Sequence, residues 1–168
     1  MRVLGIDPGS RFCGFGVVEE DGGTRVRHLA HGVLVLGEHR PMEDRLRSLH
    51  EGLTRELSRH KPDVVAVEDV FHARNARSAL VLGQARGVAL LVAAQAGVQS
   101  RSFSPSTIKQ AVTGTGRAEK DQVGRMVAVL LGLHIEGRLD ASDALAAAIC
   151  GVLRARDPEE ILKLARRR

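Results

Sequence analysis

Three acidic stretches carry the chemistry that this sequence offers. Asp7 closes the short apolar run of Val3, Leu4 and Ile6, and Pro8-Gly9-Ser10 turns the chain directly after it. The run reads as a buried strand, and an ionised carboxylate at the end of such a strand is costly unless something pairs with it. Asp7 therefore either caps the turn by accepting backbone N–H bonds or binds a cation. A second buried strand, Asp63-Val-Val-Ala-Val-Glu68, also ends in acid, at Glu68 and Asp69. Strand side chains alternate, so only one of these two can face the same site as Asp7. Both faces of that strand are apolar, which leaves the choice open. The third stretch is a helix from Asp140, where Asp140 and Asp143 stand three residues apart and share a face. Capping and the helix dipole account for one carboxylate in a first turn. They account less well for two, because Ala141, Leu145, Ala147, Ala148 and Ile149 make this a buried helix with no Lys or Arg in the same turns.

If Asp7, Glu68, Asp140 and Asp143 converge, they repel one another. One pair 4 Å apart costs about 4 kcal/mol at an effective dielectric constant of about 20. A divalent cation reverses that sign, and all-oxygen ligands suit Mg²⁺ or Mn²⁺. Two such ions about 3.5–4 Å apart can activate a water and stabilise the leaving oxygen of a phosphodiester. The chain carries a net charge of +5, which favours a polyanionic partner beside such a site. With no Trp, no Tyr and four Phe, extensive base stacking of the single-strand-binding kind is not expected.

The elements that must position these acids follow from the pattern. Phe12 to Val18 reads as the returning strand of a hairpin, Glu19 to Gly23 as a polar turn, and Thr24 to Leu36 as a third strand with an irregular middle. Pro41 opens a helix to about His60, with Leu46, Leu49, Leu53 and Leu57 at helical spacing, and Lys61-Pro62 ends it. Phe71 to Arg77 reads as a basic loop, and Ser78 to about Gly97 as a helix that is apolar or small nearly all round. Gly83 and Gly87 inside it suggest close backbone approach, since each weakens a helix by about 1 kcal/mol against Ala. That helix is expected to pack under the sheet on one side and against a second copy of itself on another, or else to be wholly intramolecular. Val98 to Phe103 gives a further strand, and Ser104-Pro105 starts a short helix. Thr113-Gly-Thr-Gly116 turns into a helix from Lys120 to about Leu131, and residues 132–139 link it to the last long helix, ending near Arg154.

This order predicts an α/β mixed sheet with helices on both faces. Residues 1–155 form one domain, and 156–168, ending Arg166-Arg167-Arg168, form a basic tail expected to be mobile. Cys13 and Cys150 lack zinc-ligand spacing and read as small buried residues in a reducing compartment. No secretory leader and no apolar run of membrane-spanning length is expected, and hence no membrane partner.

Several blocks then resemble one family. They are Gly5-Ile-Asp-Pro-Gly-Ser-Arg11 with Gly14 and Gly16, Val67-Glu-Asp-Val-Phe71, Asn75, Ser78-Ala-Leu80 and Leu82-Gly-Gln-Ala-Arg-Gly87. They continue with Thr113-Gly-Thr-Gly116, Glu119-Lys120, Gln122-Val123 and Asp140-Ala-Ser-Asp-Ala-Leu-Ala146. Together, in this order to about residue 153, they are similar to the bacterial RuvC-type Holliday junction resolvases.

The resemblance implies a ribonuclease-H-like five-stranded sheet, three strands antiparallel and then two parallel. It implies a cytoplasmic homodimer that nicks opposed strands of four-way DNA junctions symmetrically with Mg²⁺, during recombination and repair. Two ions per site are expected, with Mn²⁺ able to substitute, together with a branch-migration motor of the RuvA and RuvB type as partner. The family's metal ligands match Asp7, Glu68, Asp140 and Asp143, which selects Glu68 over Asp69. Lys109 and Lys120 match basic residues near the scissile phosphate, and Phe71 an aromatic that stacks at the junction centre. Arg74, Asn75 and Arg77 lie beside Phe71 and could hold junction backbone.

Two other readings compete. An actin-like phosphotransferase also places Asp-x-Gly after a first strand, but 168 residues are too few for two lobes around a nucleotide, and no adenosine-binding glycine motif follows Asp143. A junction-binding protein without catalysis would gain nothing from four carboxylates that repel DNA.

Overall fold

The computed structural model describes residues 1–22, 25–69, 76–133 and 139–155. The calls on Phe71, Arg74, Asn75 and the 156–168 tail lie outside these residues. The first three strands are β1 (Arg2–Asp7), β2 (Phe12–Glu20) and β3 (Val26–Val35). They form an antiparallel meander, because each connection is too short for a crossover. The irregular middle expected in the third strand is a bulge: Val17 pairs with Ala30 and Val18 with His28, so Leu29 is the extra residue.

Helix α1 (Met42–His60) follows, with Pro41 at its N-cap. It buries Leu49, Leu53 and Leu57, and it stops where Lys61 takes a left-handed conformation and donates its N–H to Leu57 O at 2.8 Å. β4 (Val64–Glu68) then lies parallel to β1, and β5 (Gln99–Phe103) parallel to β4, with α2 (Ala76–Gln95) between them. The strand order is β3-β2-β1-β4-β5. This is the ribonuclease-H-like mixed sheet, three strands antiparallel and two parallel. Helices α3 (Pro105–Thr113), α4 (Lys120–Leu131) and α5 (Leu139–Arg154) complete the described chain.

Alternation divides the apolar residues between two cores. Leu4, Ile6, Val17, Val65 and Val67 pack with residues of α1 and α2. Val3, Val18, Val64 and Ala66 pack with residues of α3, α4 and α5. Cys13 and Cys150 form no disulfide and are buried, one in each core.

One expectation about α2 needs correction. Its 20 residues are long and apolar enough, by length and composition, to cross a membrane. Here that apolar content has another use: Ala85, Ala89, Val92 and Ala93 are buried against the sheet side. Among the described residues, a Cβ at Gly83 or Gly87 meets nothing within 4 Å. They lie on an exposed stripe with Leu80, 70% exposed, and Leu91, 50% exposed.

Candidate active site

The site begins with a glycine trough in the sheet. Gly5 and Gly16 are cross-strand partners, and Gly14 pairs with Asp7. A Cβ on Gly5 would sit 2.0 Å from Ala144 O, and one on Gly14 would sit 1.9 Å from Asp140 O. Only hydrogen at these positions lets the backbone of α5 rest directly on β1 and β2. The first turn of α5 therefore lies over the end of β1, where Asp7 stands.

Strand parity does the rest. Val3 and Asp7 point to the α5 side of β1, and Val64, Ala66 and Glu68 to the α5 side of β4. Asp69, one residue on, falls to the α2 side, and its Oδ1 lies 2.7 Å from Arg86 Nη2. Asp7, Glu68, Asp143, Lys109 and Lys120 line one cleft of about 390 Å³, with Asp69 on its wall. Asp140 is not among the lining residues. Its backbone carbonyl packs over Gly14, and its charge still acts on Asp7 and Asp143.

Two further helices bring the cations. Ser104 Oγ accepts from Thr107 N at 3.2 Å and Pro105 begins α3, which buries Ile108 and Val112 and sets Lys109 on the cleft wall. Lys120 is the first residue of α4, and its Nζ lies 2.5 Å from Asp143 Oδ2. Asp143 thus has the partner that its own helix does not supply.

The electrostatics are those of crowded acids. Burial, then the charges of Glu68 and Asp143, push Asp7 up to about 7. Burial and then Asp143 raise Glu68, against the pull of Lys120 and Lys109. Burial also raises Asp143, although its bond to Lys120 works the other way. Burial disfavours the charge on Lys120, but its hydrogen bond to Asp143 and the nearby acids outweigh this and hold it above its ordinary value. Lys120, in contact with Asp143, and Lys109, acting on Glu68, do not offset the burial and mutual repulsion that raise Asp7, Glu68 and Asp143.

Hard oxygen donors with an unmet need for positive charge fit a divalent cation such as Mg²⁺. Among the described residues no three acids stand close enough to form a ready cage.

Arg77 is exposed in the first turn of α2, and the cleft lining does not include it. Two residues to which the sequence reading gave no role have clear parts. Arg45 Nη1 donates to Ser10 O at 3.1 Å and pins the turn after Asp7. Arg86 holds Asp69. The signal for Arg86 was a lone guanidinium in the middle of an apolar helix, next to Ala85 on the buried side.

The family described as "Crossover junction endodeoxyribonuclease RuvC" has a sequence model that matches residues 3–151. A protein of that name from Myxococcus xanthus is 57% identical over 152 residues, which cover 89% of this chain and 79% of that one. The solved structure of Thermus thermophilus RuvC in complex with a Holliday junction substrate superposes with a TM-score of 0.87 at 37% identity, covering 93% of this chain and 95% of that one. The fold alone extends to the yeast mitochondrial Holliday junction resolvase Ydc2, at a TM-score of 0.63 and 14% identity, covering 90% of this chain and 78% of that one. A match that runs from the first strand into the last helix, with the carboxylates gathered where those two elements meet, shows that the chain belongs to the RuvC family of crossover junction endodeoxyribonucleases.

Proposed function

We propose that this protein resolves four-way DNA junctions as a homodimer, each cleft hydrolysing one phosphodiester so that two opposed strands are nicked symmetrically. The observation that carries the reading is the convergence of Asp7, Glu68 and Asp143 in one cleft beside Lys120. Asp7, Glu68, Asp140 and Asp143 hold two Mg²⁺ ions in this reading, with Mn²⁺ able to replace them. Bound Mg²⁺ supplies charge neutralisation, activation of a water and stabilisation of the leaving oxygen.

The chain's own residues do the remainder. Lys120 balances Asp143, and its side chain, 57% exposed, can also reach a backbone phosphate. Lys109, on the opposite helix, positions the same phosphate and offsets charge that develops there. The turn pinned by Arg45 keeps Asp7 at a fixed height over the sheet. Phe71 stacks at the junction centre, and Arg74, Asn75 and Arg77 grip the backbone around it. Dimerisation uses the exposed stripe of α2, where two glycines without neighbours allow a second helix to approach closely. Residues 1–155 act as one nuclease domain, and the basic tail adds non-specific attraction to DNA. The enzyme works in the cytoplasm, in recombination and repair, beside a branch-migration motor of the RuvA and RuvB type.

The test is strand nicking of a synthetic mobile junction in Mg²⁺, alongside a linear duplex of the same sequence. Paired symmetric cuts in the junction alone are expected. Equal cutting of both substrates would remove the structure selectivity, and binding without cutting would leave a junction-binding protein.

A further inference from the structure

Asp69 is the acid that the proposed chemistry leaves over. It lines the same cleft as Asp7, Glu68 and Asp143, yet alternation directs it to the other side of β4. Arg86 accounts for its placement. One nitrogen, Nη2, lies 2.7 Å from Asp69 Oδ1 and donates to Ser102 Oγ at 2.7 Å. The Asp69 N–H donates to Phe103 O at 2.8 Å. A single guanidinium from α2 thus joins the ends of β4 and β5 beside the cleft. The ion pair itself stabilises little, since Asp69 is 38% exposed and Arg86 25%.

We infer that Arg86 is a positioning residue that acts through Asp69: it neutralises this fifth carboxylate and holds it away from the DNA phosphate and from the cation-holding acids. The inference rests on the proposed junction cleavage. Without Arg86 the Asp69 carboxylate is free to swing toward the cleft. There it repels the incoming phosphate and offers a cation a ligand in the wrong place. Both faults come from one charge, so removing that charge corrects both. A purely structural role for Arg86 would show no such correction, because Asn at position 69 restores no packing and no ion pair.

The experiment compares wild type, Arg86→Gln, Asp69→Asn and the double variant. Four-way junction binding is measured in EDTA, and single-turnover cleavage in Mg²⁺ at saturating enzyme. An unmasked charge near a phosphate is expected to weaken metal-free binding by Arg86→Gln about tenfold. Cleavage by this variant also slows, the double variant returns to within about threefold of wild type on both readouts, and Asp69→Asn alone stays in that range. Arg86→Lys, which keeps the charge, is expected to retain most binding and serves if Arg86→Gln folds poorly. Arg86→Gln equal to wild type, or a double variant as impaired as Arg86→Gln, overturns the inference while leaving the nuclease intact. A wild-type protein that cuts no junction overturns the proposed function instead.

Discussion

Leu4, Ile6, Val65 and Val67 meet α1 and α2, whereas their neighbours on the same strands, Val3, Val64 and Ala66, meet α5 and its companions. On the α1–α2 side ordinary side chains interdigitate, and the result is a core. On the α5 side a core forms as well, but at Gly5, Gly14 and Gly16 there is no side chain, so the helix backbone lies directly on the sheet there. That closer approach brings the first turn of α5 to the strand ends, where Asp7 and Glu68 replace apolar residues. Both sides of the sheet bury a core, but the α5 side also places charges where burial opposes them. The family's chemistry sits on the side whose electrostatics work against stability, as is common for sites with shifted acids.

The strongest way to separate the two sides is Asp7→Asn. Cation-assisted charge stabilisation is worth several kcal/mol and each 1.36 kcal/mol is tenfold in rate, so junction cleavage is expected to fall about 10³-fold. Stability should move the other way. Asp7 rises from an ordinary 3.8 to about 7, so the folded state keeps its proton longer than the unfolded state does. Ionising Asp7 therefore lowers stability, from the onset near the ordinary carboxylate value until the loss is complete above about 7. In EDTA the wild type should lose on the order of 4 kcal/mol through this group alone as pH rises across that window. The variant should have the flatter profile. Parallel melting profiles for the two proteins would show that Asp7 is not held in the way described.

A smaller effect tests the trough against the core. Gly5→Ala forces a Cβ onto the carbonyl of Ala144. Overpacking of this kind costs about 3 kcal/mol. Leu53→Ala, on the α1 side, costs about 2–5 kcal/mol through a cavity. Urea unfolding should show comparable losses, but only Gly5→Ala should also lose cleavage per folded molecule, because it displaces α5 from the strand ends. Equal cleavage by both would mean that the helix does not need its close seat.

The smallest effect on folding is expected at the α2 stripe. Leu80→Glu adds charge at a largely exposed position, so folding stability should change by less than about 0.5 kcal/mol. Sedimentation at micromolar concentration should nevertheless show a monomer, whereas the proposed homodimer is the expected outcome for the wild type. A variant that remains dimeric would move the proposed interface off this stripe.

By itself the sequence determined the kinds and order of the elements, because hydrophobic period, capping and turn residues are local signals. Ser104-Pro105, Lys61-Pro62 and the strand of residues 64–68 were legible in this way to within a residue or two. Spacing within one helix put Asp140 and Asp143 on a common face, and the family's motifs named the remaining acids. What spacing left open was sidedness. Val64 to Val67 is apolar on both faces, so no local pattern could tell Glu68 from Asp69. The choice lies in which helix covers which face, and that is set by register between strands far apart in the chain. The partners were hidden for the same reason. Asp143 finds Lys120 on another helix, and Asp69 finds Arg86 across the sheet edge. The glycines at 5, 14 and 16 could be seen as a motif, but their use emerged only when α5 was laid across them. Local interactions select the elements; long-range packing, with its tight limits on volume, decides which charges meet.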